Sequence, residues 1–459
     1  MDLDRRTGLA ARIARIDDIR GKYLSEVDGR LAHRVGRNLA TDLKARGRRR
    51  IAVCRDPRHS SFELQIALME ALGASGIDVV DFGTAPTPAT TFFAHRHGLT
   101  DAVVVTASHN GLDHAGFKIL VDGDPPSLDH LRHLIIAEPD ASDADGWGAR
   151  HYVEATPFAC DALMERFPRL DPRVTVVWDS LHGATAGLVD EICRRLGPRH
   201  RALSPGFEPT FAGRAPDPAA DGNVAIMRRA IAAHGARFGF SFDGDGDRFA
   251  LTDRLGRLVP ADLVAALHLA FGPHRPGAAI VTDVKASSIV ERTARRRSCR
   301  VVRTPTGQRH IRAAVRDHDA VLGVELSGHF CFGPAPHVCD DGLHAALAFL
   351  DLLADHADAI DHMIDDYHAR FHVSDELRWR LPSVSPEIAV ADIASRAADL
   401  SDRIDRCDGV RIDLDDGWIL FRPSQTENVL SVRFEGHDLE AYGRIADTVQ
   451  RLASDHLVG

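Results

Sequence analysis

A strand followed by a polar turn and a helix recurs three times along this chain, and this repeat limits the folds that the chain can adopt. The strands are short and rich in β-branched residues, and they lie at 51–54, 174–178 and 279–282. An acidic residue and small hydroxyl residues follow each strand, where serine and aspartate can cap the next helix. Short strands alternating with amphipathic helices are typical of α/β domains. The sequence therefore predicts three topologically similar α/β domains.

Each block also contains a later strand that ends in an unusual polar loop. These loops lie at 106–110, 243–248 and 325–329, and the strand before the second loop, 238–242, is strongly aromatic. Ligands of open α/β sheets bind beyond the carboxyl ends of the strands. We therefore expect the three loops to line one central cleft, with the domains arranged around it.

The last part of the chain has a different order of elements. From about residue 371 the pattern is strand, helix, strand, strand, helix, with a predicted hairpin at 418–421 and 429–433. The turn between these two strands carries an arginine, hydroxyls and backbone N–H groups, which together favour an oxyanion clamp. The chain is predicted to form three α/β domains and a C-terminal α+β domain, at 1–150, 151–255, 256–367 and 368–459.

The second polar loop is acidic and predicts a metal site. Its carboxylates alternate with glycines, which let the backbone curl tightly, and they belong to Asp243, Asp245 and Asp247. Carboxylates packed this closely repel each other strongly without a cation. Oxygen ligands favour Mg²⁺, which commonly also binds phosphate oxygens. An EF-hand is excluded because Arg248 and Arg254 stand where its loop needs glycine and glutamate.

Composition and charge set the broad class of the protein. The chain has 459 residues, of which 44% are hydrophobic, which suits roughly three domains of about 150 residues each. Its formal net charge of −10 argues against nucleic acid as the main partner. No apolar run approaches the roughly 18 residues of a membrane span, and the N-terminus lacks the apolar core of a signal peptide. The seven scattered cysteines suit a reduced, cytoplasmic protein.

One group of histidines and cysteines raises the alternative of a zinc site. His329, Cys331, His337 and Cys339 are all residue types that bind zinc. Their spacing matches no zinc motif, and on a strand His329 and Cys331 would share one face. We therefore favour buried thiols beside a functional histidine.

Six motifs along the chain form a set that is more specific than any one of them. They are DIRGKY at 18–23, TASHN at 106–110, GFK at 116–118, DGDGDR at 243–248, GVELSGH at 323–329 and RPSQTE at 422–427. This set resembles the α-D-phosphohexomutase family, which includes phosphomannomutase, phosphoglucomutase and phosphoglucosamine mutase. The resemblance extends over essentially the whole chain, and the serine loop and the acidic loop are its most specific parts.

The resemblance implies an isomerase that moves a phosphoryl group between the 1- and 6-positions of a hexose phosphate. It identifies Ser108 as a phosphoserine that donates its phosphoryl group and takes the other one back, through a 1,6-bisphosphate intermediate. The phosphate oxygen of Ser108 would complete the Mg²⁺ site of the three aspartates and so favour the transfer. Arg248 and Arg20 would neutralise the same phosphoryl group.

The transfer also needs a proton acceptor and a proton donor, and the candidates are Lys118 and His329. Because a lysine beside a cation and basic groups can have a lowered pKa, we expect a lowered pKa for Lys118. By resemblance, Glu325 and Ser327 would bind sugar hydroxyls, and His329 would also contact the substrate. The other implied contacts, with the sugar or with the phosphate that is not transferred, are Lys285, Gln308, Arg422, Ser424, Gln425 and Thr426.

The identity of the sugar is implied by one loop. The Glu-Leu-Ser-Gly-His sequence at 325–329 resembles enzymes for mannose or glucose phosphate, whereas phosphoglucosamine mutases tend to carry glutamine after the glutamate. Phosphoglucosamine mutase stays an alternative, as do a Mg²⁺-dependent sugar phosphatase and a catalytically inactive sugar-phosphate binding protein. The expected partners are hexose phosphates and hexose 1,6-bisphosphate, without nucleic acid or membrane, for a monomer or a homodimer.

Three positions depart from the family pattern. Gln308 stands where a histidine often follows the glycine, Asp17 stands where many relatives carry an aromatic residue, and Asn428 replaces the usual proline. The first two departures put in question one sugar or proton-transfer contact and one stacking or phosphate contact. A weaker or narrower enzyme is therefore an open alternative.

Overall fold

The chain divides into two compact units, each with its own core. The computed structural model describes residues 3–138, 146–333, 339–382, 384–424 and 428–457. The first unit comprises Met1–Val259, Gly328–Phe330 and Ala335–Ala354. The second unit comprises Pro260–Ser327, Cys331–Pro334 and Asp355–Gly459.

The first part of the chain forms a six-stranded sheet with five helices. Its elements are α1 (Leu3–Ile13), β1 (Ile19–Lys22), α2 (Gly29–Ala45), β2 (Arg50–Arg55), α3 (His59–Ala74), β3 (Asp78–Thr84), α4 (Thr87–Arg96), β4 (Ala102–Val105), β5 (His114–Leu120), α5 (Leu128–Ile136) and β6 (Arg150–Tyr152). The strand order is β1-β5-β4-β2-β3-β6. The predicted strand at 51–54 is confirmed as β2, and the helix that follows it, α3, begins at His59.

The second sheet has five strands and an aromatic centre. Its elements are α6 (Thr156–Arg166), β7 (Val176–Asp179), α7 (Ala186–Leu196), β8 (His200–Ala202), α8 (Asp221–His234), β9 (Phe238–Phe242), β10 (Phe249–Thr252) and β11 (Leu258–Val259), in the strand order β11-β10-β9-β7-β8. The predicted aromatic strand is confirmed as β9, in which Phe238, Phe240 and Phe242 are fully buried. Trp178 packs edge-to-face on Phe240, with 4.8 Å between ring centroids. This packed strand ends directly at the acidic loop.

The third sheet has four strands. Its elements are α9 (Ala261–Phe271), β12 (Ala279–Asp283), α10 (Ser288–Arg296), β13 (Arg300–Thr304), α11 (Gln308–Asp317), β14 (Leu322–Val324), β15 (Phe330–Phe332) and α12 (Gly342–Arg370), in the strand order β13-β12-β14-β15. The predicted strand at 279–282 is confirmed as β12. The strand before the third polar loop is short, since β14 comprises only Leu322–Val324.

The same strand arrangement recurs in all three sheets. The first strand of each repeat, β2, β7 or β12, lies between two parallel neighbours: β3 and β4, β8 and β9, or β13 and β14. In the first two sheets the later neighbour then pairs with an antiparallel strand, β5 or β10. The predicted topological similarity of the three α/β domains is therefore confirmed.

The C-terminal part folds as a mostly antiparallel sheet with two helices. Its elements are β16 (His372–Val373), β17 (Leu377–Arg380), α13 (Pro386–Arg396), β18 (Ile404–Asp405), β19 (Val410–Asp413), β20 (Gly417–Pro423), β21 (Val429–Gly436) and α14 (Leu439–Leu457). The predicted hairpin is confirmed as β20 and β21, which pair antiparallel over the whole length of β20. The predicted order missed short edge strands, since two-residue strands such as β18 carry no readable alternation.

The predicted class of three α/β domains followed by an α+β domain is confirmed. Both units enclose apolar cores, with Val53, Val103 and Phe117 at the centre of one and Phe421, Leu430 and Val432 at the centre of the other. Within the described ranges, none of the helices combines the length and apolarity that crossing a membrane requires.

Candidate functional site

The three aspartates of the acidic loop converge as predicted. Asp243, Asp245 and Asp247 are fully buried, and each offers one oxygen within 4.8 Å of the others. The loop is curled by hydrogen bonds from the backbone N–H groups of Gly246 and Arg248 to Asp243 Oδ1, at 3.0 and 3.2 Å. Gly246 has a φ of +77°, a left-handed conformation that glycine adopts without steric cost.

The donor set of this loop fits a hard divalent cation. Burial and the repulsion of Asp245 and Asp247 raise the pKa of Asp243 well above its usual value. Asp245 Oδ1 is buried and has no hydrogen-bond partner among the described residues. Buried carboxylates in this state are stabilised by a cation that prefers oxygen ligands. Of the described residues, these three are also the one group of histidines, cysteines and carboxylates close enough to hold a metal.

Ser108 lies directly beside this group. Its Oγ donates a hydrogen bond to Asp243 Oδ2 at 2.7 Å, and its backbone has a φ of +50°. A Cβ added to Gly244 would lie 2.6 Å from the backbone oxygen of Ser108, so a glycine there lets the two loops approach. His109 Nδ1 lies 3.3 Å from Ser108 Oγ, and burial lowers the pKa of His109 to about 2, which keeps its ring neutral.

Lys118 faces the same carboxylates. Its Nζ donates to Asp245 Oδ2 at 2.6 Å and also to Asp247 Oδ2. Burial alone would lower the pKa of Lys118, but the carboxylates of Asp245 and Asp247 outweigh burial and raise that pKa. The predicted lowering was wrong in direction, because it counted basic neighbours and a cation but not the lysine's own contacts with the aspartates.

The other predicted catalytic residues of the first unit also lie near the serine and aspartate loops. Arg20 Nη1 donates to Asn110 Oδ1 at 2.7 Å, and its other nitrogen pairs with Asp18. Arg248 Nε donates to His329 Nε2 at 3.0 Å. His329 Nδ1 then lies 3.7 Å from Asp247 Oδ1. Since Nε2 accepts, the ring proton of a neutral His329 is on Nδ1, facing that carboxylate.

The second unit contains its own cluster of predicted residues. Lys285 is buried, with Nζ 3.6 Å from Asp283 Oδ2 and 3.5 Å from Glu376 Oε2. Glu325 and Arg422 are likewise buried, and both contribute to the electrostatic environment of Lys285.

The described part of the predicted phosphate clamp includes Arg422 and Ser424. Arg422 Nε donates to Asp408 Oδ2 at 3.1 Å, and the backbone N–H of Ser424 donates to the oxygen of Val429 at 3.0 Å. Ser327 Oγ is buried without a hydrogen-bond partner among the described residues. A buried hydroxyl in this state is available to a bound ligand. Gln308 is the first residue of α11 and is partly exposed.

Three residues of the sequence analysis lie outside the described residues. They are the predicted clamp residues Gln425 and Thr426, and His337 of the alternative zinc pattern. Cys331 is buried and Cys339 is half-buried.

Sequence reasoning missed several groups that support the site. Thr87 Oγ1 donates to Asp245 Oδ2 at 2.5 Å, and Glu376 pairs with Lys285. Asp56 and Arg58 are fully buried against the serine loop. Asp56 and Arg58 lie in the polar turn after β2, and the sequence of this turn by itself indicates only that a helix follows.

Four family models match consecutive parts of the chain. They describe the domains of phosphoglucomutase/phosphomannomutase: alpha/beta/alpha domains I, II and III at residues 11–143, 152–256 and 262–371, and the C-terminal domain at residues 376–452.

The chain is also similar in sequence and in structure to known proteins of this family. The chain is 30% identical over 438 residues to a probable phosphoglucosamine mutase of Methanopyrus kandleri, covering 94% of this chain and 95% of the relative. It is 29% identical over 439 residues to a phosphomannomutase/phosphoglucomutase of Pseudomonas aeruginosa, covering 95% and 94%. A solved phosphoglucomutase/phosphomannomutase family protein of Burkholderia thailandensis has a TM-score of 0.89 and 28% identity over 98% of both chains. The chain belongs to the phosphoglucomutase/phosphomannomutase family of isomerases.

Proposed function

We propose that this protein reversibly transfers a phosphoryl group between the 1- and 6-positions of a hexose phosphate, through a phosphorylated Ser108 and a hexose 1,6-bisphosphate. The observation that carries the proposal is the 2.7 Å hydrogen bond from Ser108 Oγ to Asp243 Oδ2, within a group of three buried carboxylates. A serine hydroxyl is a weak nucleophile, but a phosphoserine beside a cation site is a phosphoryl donor.

Asp243, Asp245 and Asp247, together with the phosphate of Ser108, would hold the metal ion. Mg²⁺ is the proposed ion because the protein ligands are all carboxylate oxygens and the substrate carries phosphate. When bound, it would withdraw charge from the phosphoryl group. Arg20 and Arg248 are proposed to neutralise the same group through their guanidinium N–H donors.

The proton that moves during the transfer gives roles to two further side chains. Transfer breaks the bond between phosphorus and Ser108 Oγ and forms a bond between phosphorus and a sugar hydroxyl oxygen. The hydroxyl proton leaves the sugar, and Ser108 Oγ regains one. We propose His329 as the group that moves this proton, because Lys118 Nζ already donates to two carboxylates. Lys118 then stabilises the negative charge of the site.

Most of the proposed substrate contacts belong to the second unit, whereas His329 belongs to the first. Glu325, Ser327 and His329 would bind the sugar hydroxyls, and Lys285 would lie near the sugar. Support comes from the buried cluster around Lys285 and from the buried, unpartnered Oγ of Ser327 among the described residues. The proposed contacts of the sugar or of the phosphate that is not transferred are Gln308, Arg422, Ser424, Gln425 and Thr426.

Mannose or glucose phosphate is the proposed substrate. The leucine of the Glu-Leu-Ser-Gly-His loop at 325–329 supports this assignment. Glucosamine phosphate is the second candidate, because a relative at 30% identity is named a probable phosphoglucosamine mutase. Rates with the three sugar 1-phosphates, measured side by side, decide between the candidates.

We also propose the domain boundaries 1–150, 151–255, 256–367 and 368–459. The matched ranges of the four family domains, which are 11–143, 152–256, 262–371 and 376–452, support this division.

The substitution Ser108→Ala tests the proposed function. We expect it to abolish isomerisation and to leave the binding of sugar phosphate nearly intact, while intact-mass spectrometry of the wild type shows chains about one phosphate heavier. A Ser108→Ala protein that still interconverts 1- and 6-phosphates at the normal rate would overturn the proposal. Stoichiometric release of inorganic phosphate without isomer formation would instead identify a phosphatase.

A further inference from the structure

We propose that Arg58, paired with Asp56, is a positioning residue that fixes the serine loop for phosphoryl transfer. Arg58 is the residue before α3, and its side chain is only 1% exposed. A fully buried arginine needs partners for its guanidinium N–H groups and charge. The partners it has are mainly the backbone of the loop that carries Ser108.

The guanidinium of Arg58 spans that loop with three backbone acceptors. Its Nη2 donates to the carbonyl oxygens of Ser108 at 2.8 Å and Asn110 at 2.5 Å, and its Nη1 donates to that of Gly111 at 2.7 Å. A planar fork of donors can satisfy several carbonyls at fixed angles, which a single ammonium cannot reproduce. Arg58 therefore sets the position of the loop as well as compensating charge.

Asp56 completes the arrangement from the other side of Ser108. Its Oδ2 accepts from Arg58 Nε at 3.0 Å and from Thr106 Oγ1 at 2.7 Å. Thr106 Oγ1 in turn accepts from the backbone N–H of Ser108 at 2.8 Å. The N–H and the carbonyl of Ser108 are thus both tied to the Asp56–Arg58 pair.

This double attachment explains how Ser108 keeps an unfavourable backbone conformation. A φ of +50° is uncommon for a residue with a side chain and persists only where the surroundings enforce it. In that conformation Ser108 Oγ lies 2.7 Å from Asp243 Oδ2. The ring of Phe211 packs against Arg58, 5.0 Å from its guanidinium carbon, and also lies beside Gly244 of the acidic loop. The positioning pair therefore connects both loops.

The second unit offers a matched control. Arg411 is also 1% exposed, and its Nη1 donates to the backbone oxygens of Val284 and Ala286 at 2.7 and 2.9 Å. Its guanidinium lies over Trp418 at 3.9 Å, as that of Arg58 does over Phe211. Arg411 thus holds the loop of Lys285, a proposed substrate contact, and not the loop of Ser108.

The test compares Arg58→Lys with Arg411→Lys in the full-length protein. Each substitution keeps the buried positive charge and removes the fork of donors. The inference rests on the proposed function. Arg58→Lys should lower kcat by roughly 10- to 100-fold, since misplacing a reacting group by about 1 Å slows a reaction by about this factor. It should also slow the phosphorylation of Ser108 by glucose 1,6-bisphosphate, followed by mass spectrometry, with KM changed less than about threefold. Arg411→Lys should raise KM and leave the rate of Ser108 phosphorylation at saturating glucose 1,6-bisphosphate at its wild-type value.

Thr106→Val provides a second variant in case Arg58→Lys unfolds. It removes the hydroxyl between Asp56 and the Ser108 N–H and keeps the Asp56–Arg58 pair, so phosphorylation of Ser108 should again slow. Wild-type phosphorylation rates in both Arg58→Lys and Thr106→Val would overturn the inference while leaving the proposed function standing. A wild-type protein that is never phosphorylated would instead remove the proposed function itself.

Discussion

Asp243, Asp245 and Asp247 bring three buried carboxylates together, each with one oxygen within 4.8 Å of the others. The cationic groups that act on them include Lys118, which contacts Asp245 and Asp247, and Arg248, whose charge lowers the pKa of Asp243. A divalent cation would balance the negative charge of the carboxylates that these groups do not neutralise.

Asp245→Asn should weaken Mg²⁺ binding at least about tenfold, because it removes a charged ligand while keeping the shape of the side chain. Titration calorimetry measures the affinity directly. Asp221→Asn makes the same charge change at an exposed position at the start of α8 and should leave the affinity unchanged. Equal affinities for both variants would rule out the acidic loop as the metal site.

His200 gives the protein a predictable sensitivity to acid. Burial lowers the pKa of His200 from 6.5 to about 4, and its Nδ1 accepts a hydrogen bond from Trp178 Nε1 at 3.2 Å. The unfolded chain therefore takes up this proton first as the pH falls, so stability decreases between about pH 6.5 and pH 4, by at most about 3 kcal/mol.

His200→Asn removes the titration while keeping an acceptor for Trp178. Urea unfolding of this variant should show a shallower loss of stability over that pH window than the wild type, with both compared against their own values at pH 8. An unchanged slope would show that His200 is not the group responsible.

Some site residues could be predicted from sequence because their motifs are local. Ser108 and the three aspartates each lie in a short, distinctive loop directly after a strand. Arg58 could not be found in this way, since it contacts Ser108 from 50 positions away. The direction of the pKa of Lys118 was also out of reach, because it depends on which charged groups the fold places next to the lysine.

At the scale of elements, β9 supports the acidic loop. All five of its residues are buried, and the ring of Phe240 packs against Trp178, Phe249 and Phe349 at 4.8 to 5.9 Å between centroids. Dense aromatic packing of this kind leaves the strand little freedom, so the carboxylates that follow start from a fixed position.

Phe240→Ala should lower the free energy of unfolding by about 3–5 kcal/mol, because it removes a buried ring and leaves a cavity. Urea denaturation followed by circular dichroism measures this loss. Phe158→Ala, at an exposed position on α6, should change stability by less than about 0.5 kcal/mol. Similar losses in the two variants would contradict the proposed importance of the aromatic strand.

Long elements with clear periodicity were predictable, whereas short edge strands were not. The strands β2, β9 and β12 fell where their β-branched or aromatic runs indicated. Strands β16 and β18 have two residues each and owe their pairing to neighbouring strands, which no local pattern records.

Over the whole molecule, the loops proposed for phosphoryl transfer and most of the proposed substrate contacts belong to different compact units. The serine and acidic loops lie in the first unit, and the cluster of Lys285, Glu325 and Arg422 lies in the second. The repeat in the sequence predicted the class of each domain, because strand order follows from local connections. It could not predict that the fold divides into two units.

Transfer of a labelled phosphoryl group from Ser108 to the sugar is the decisive test of a phosphoserine mutase. The wild-type protein is phosphorylated with labelled glucose 1,6-bisphosphate, separated from free sugar, and mixed with unlabelled glucose 1-phosphate in the presence of Mg²⁺. We expect the label to leave Ser108 and to be recovered in sugar bisphosphate and 6-phosphate within a single turnover. Label that stays on the protein, or is released as inorganic phosphate, would show that Ser108 does not pass its phosphoryl group to the sugar.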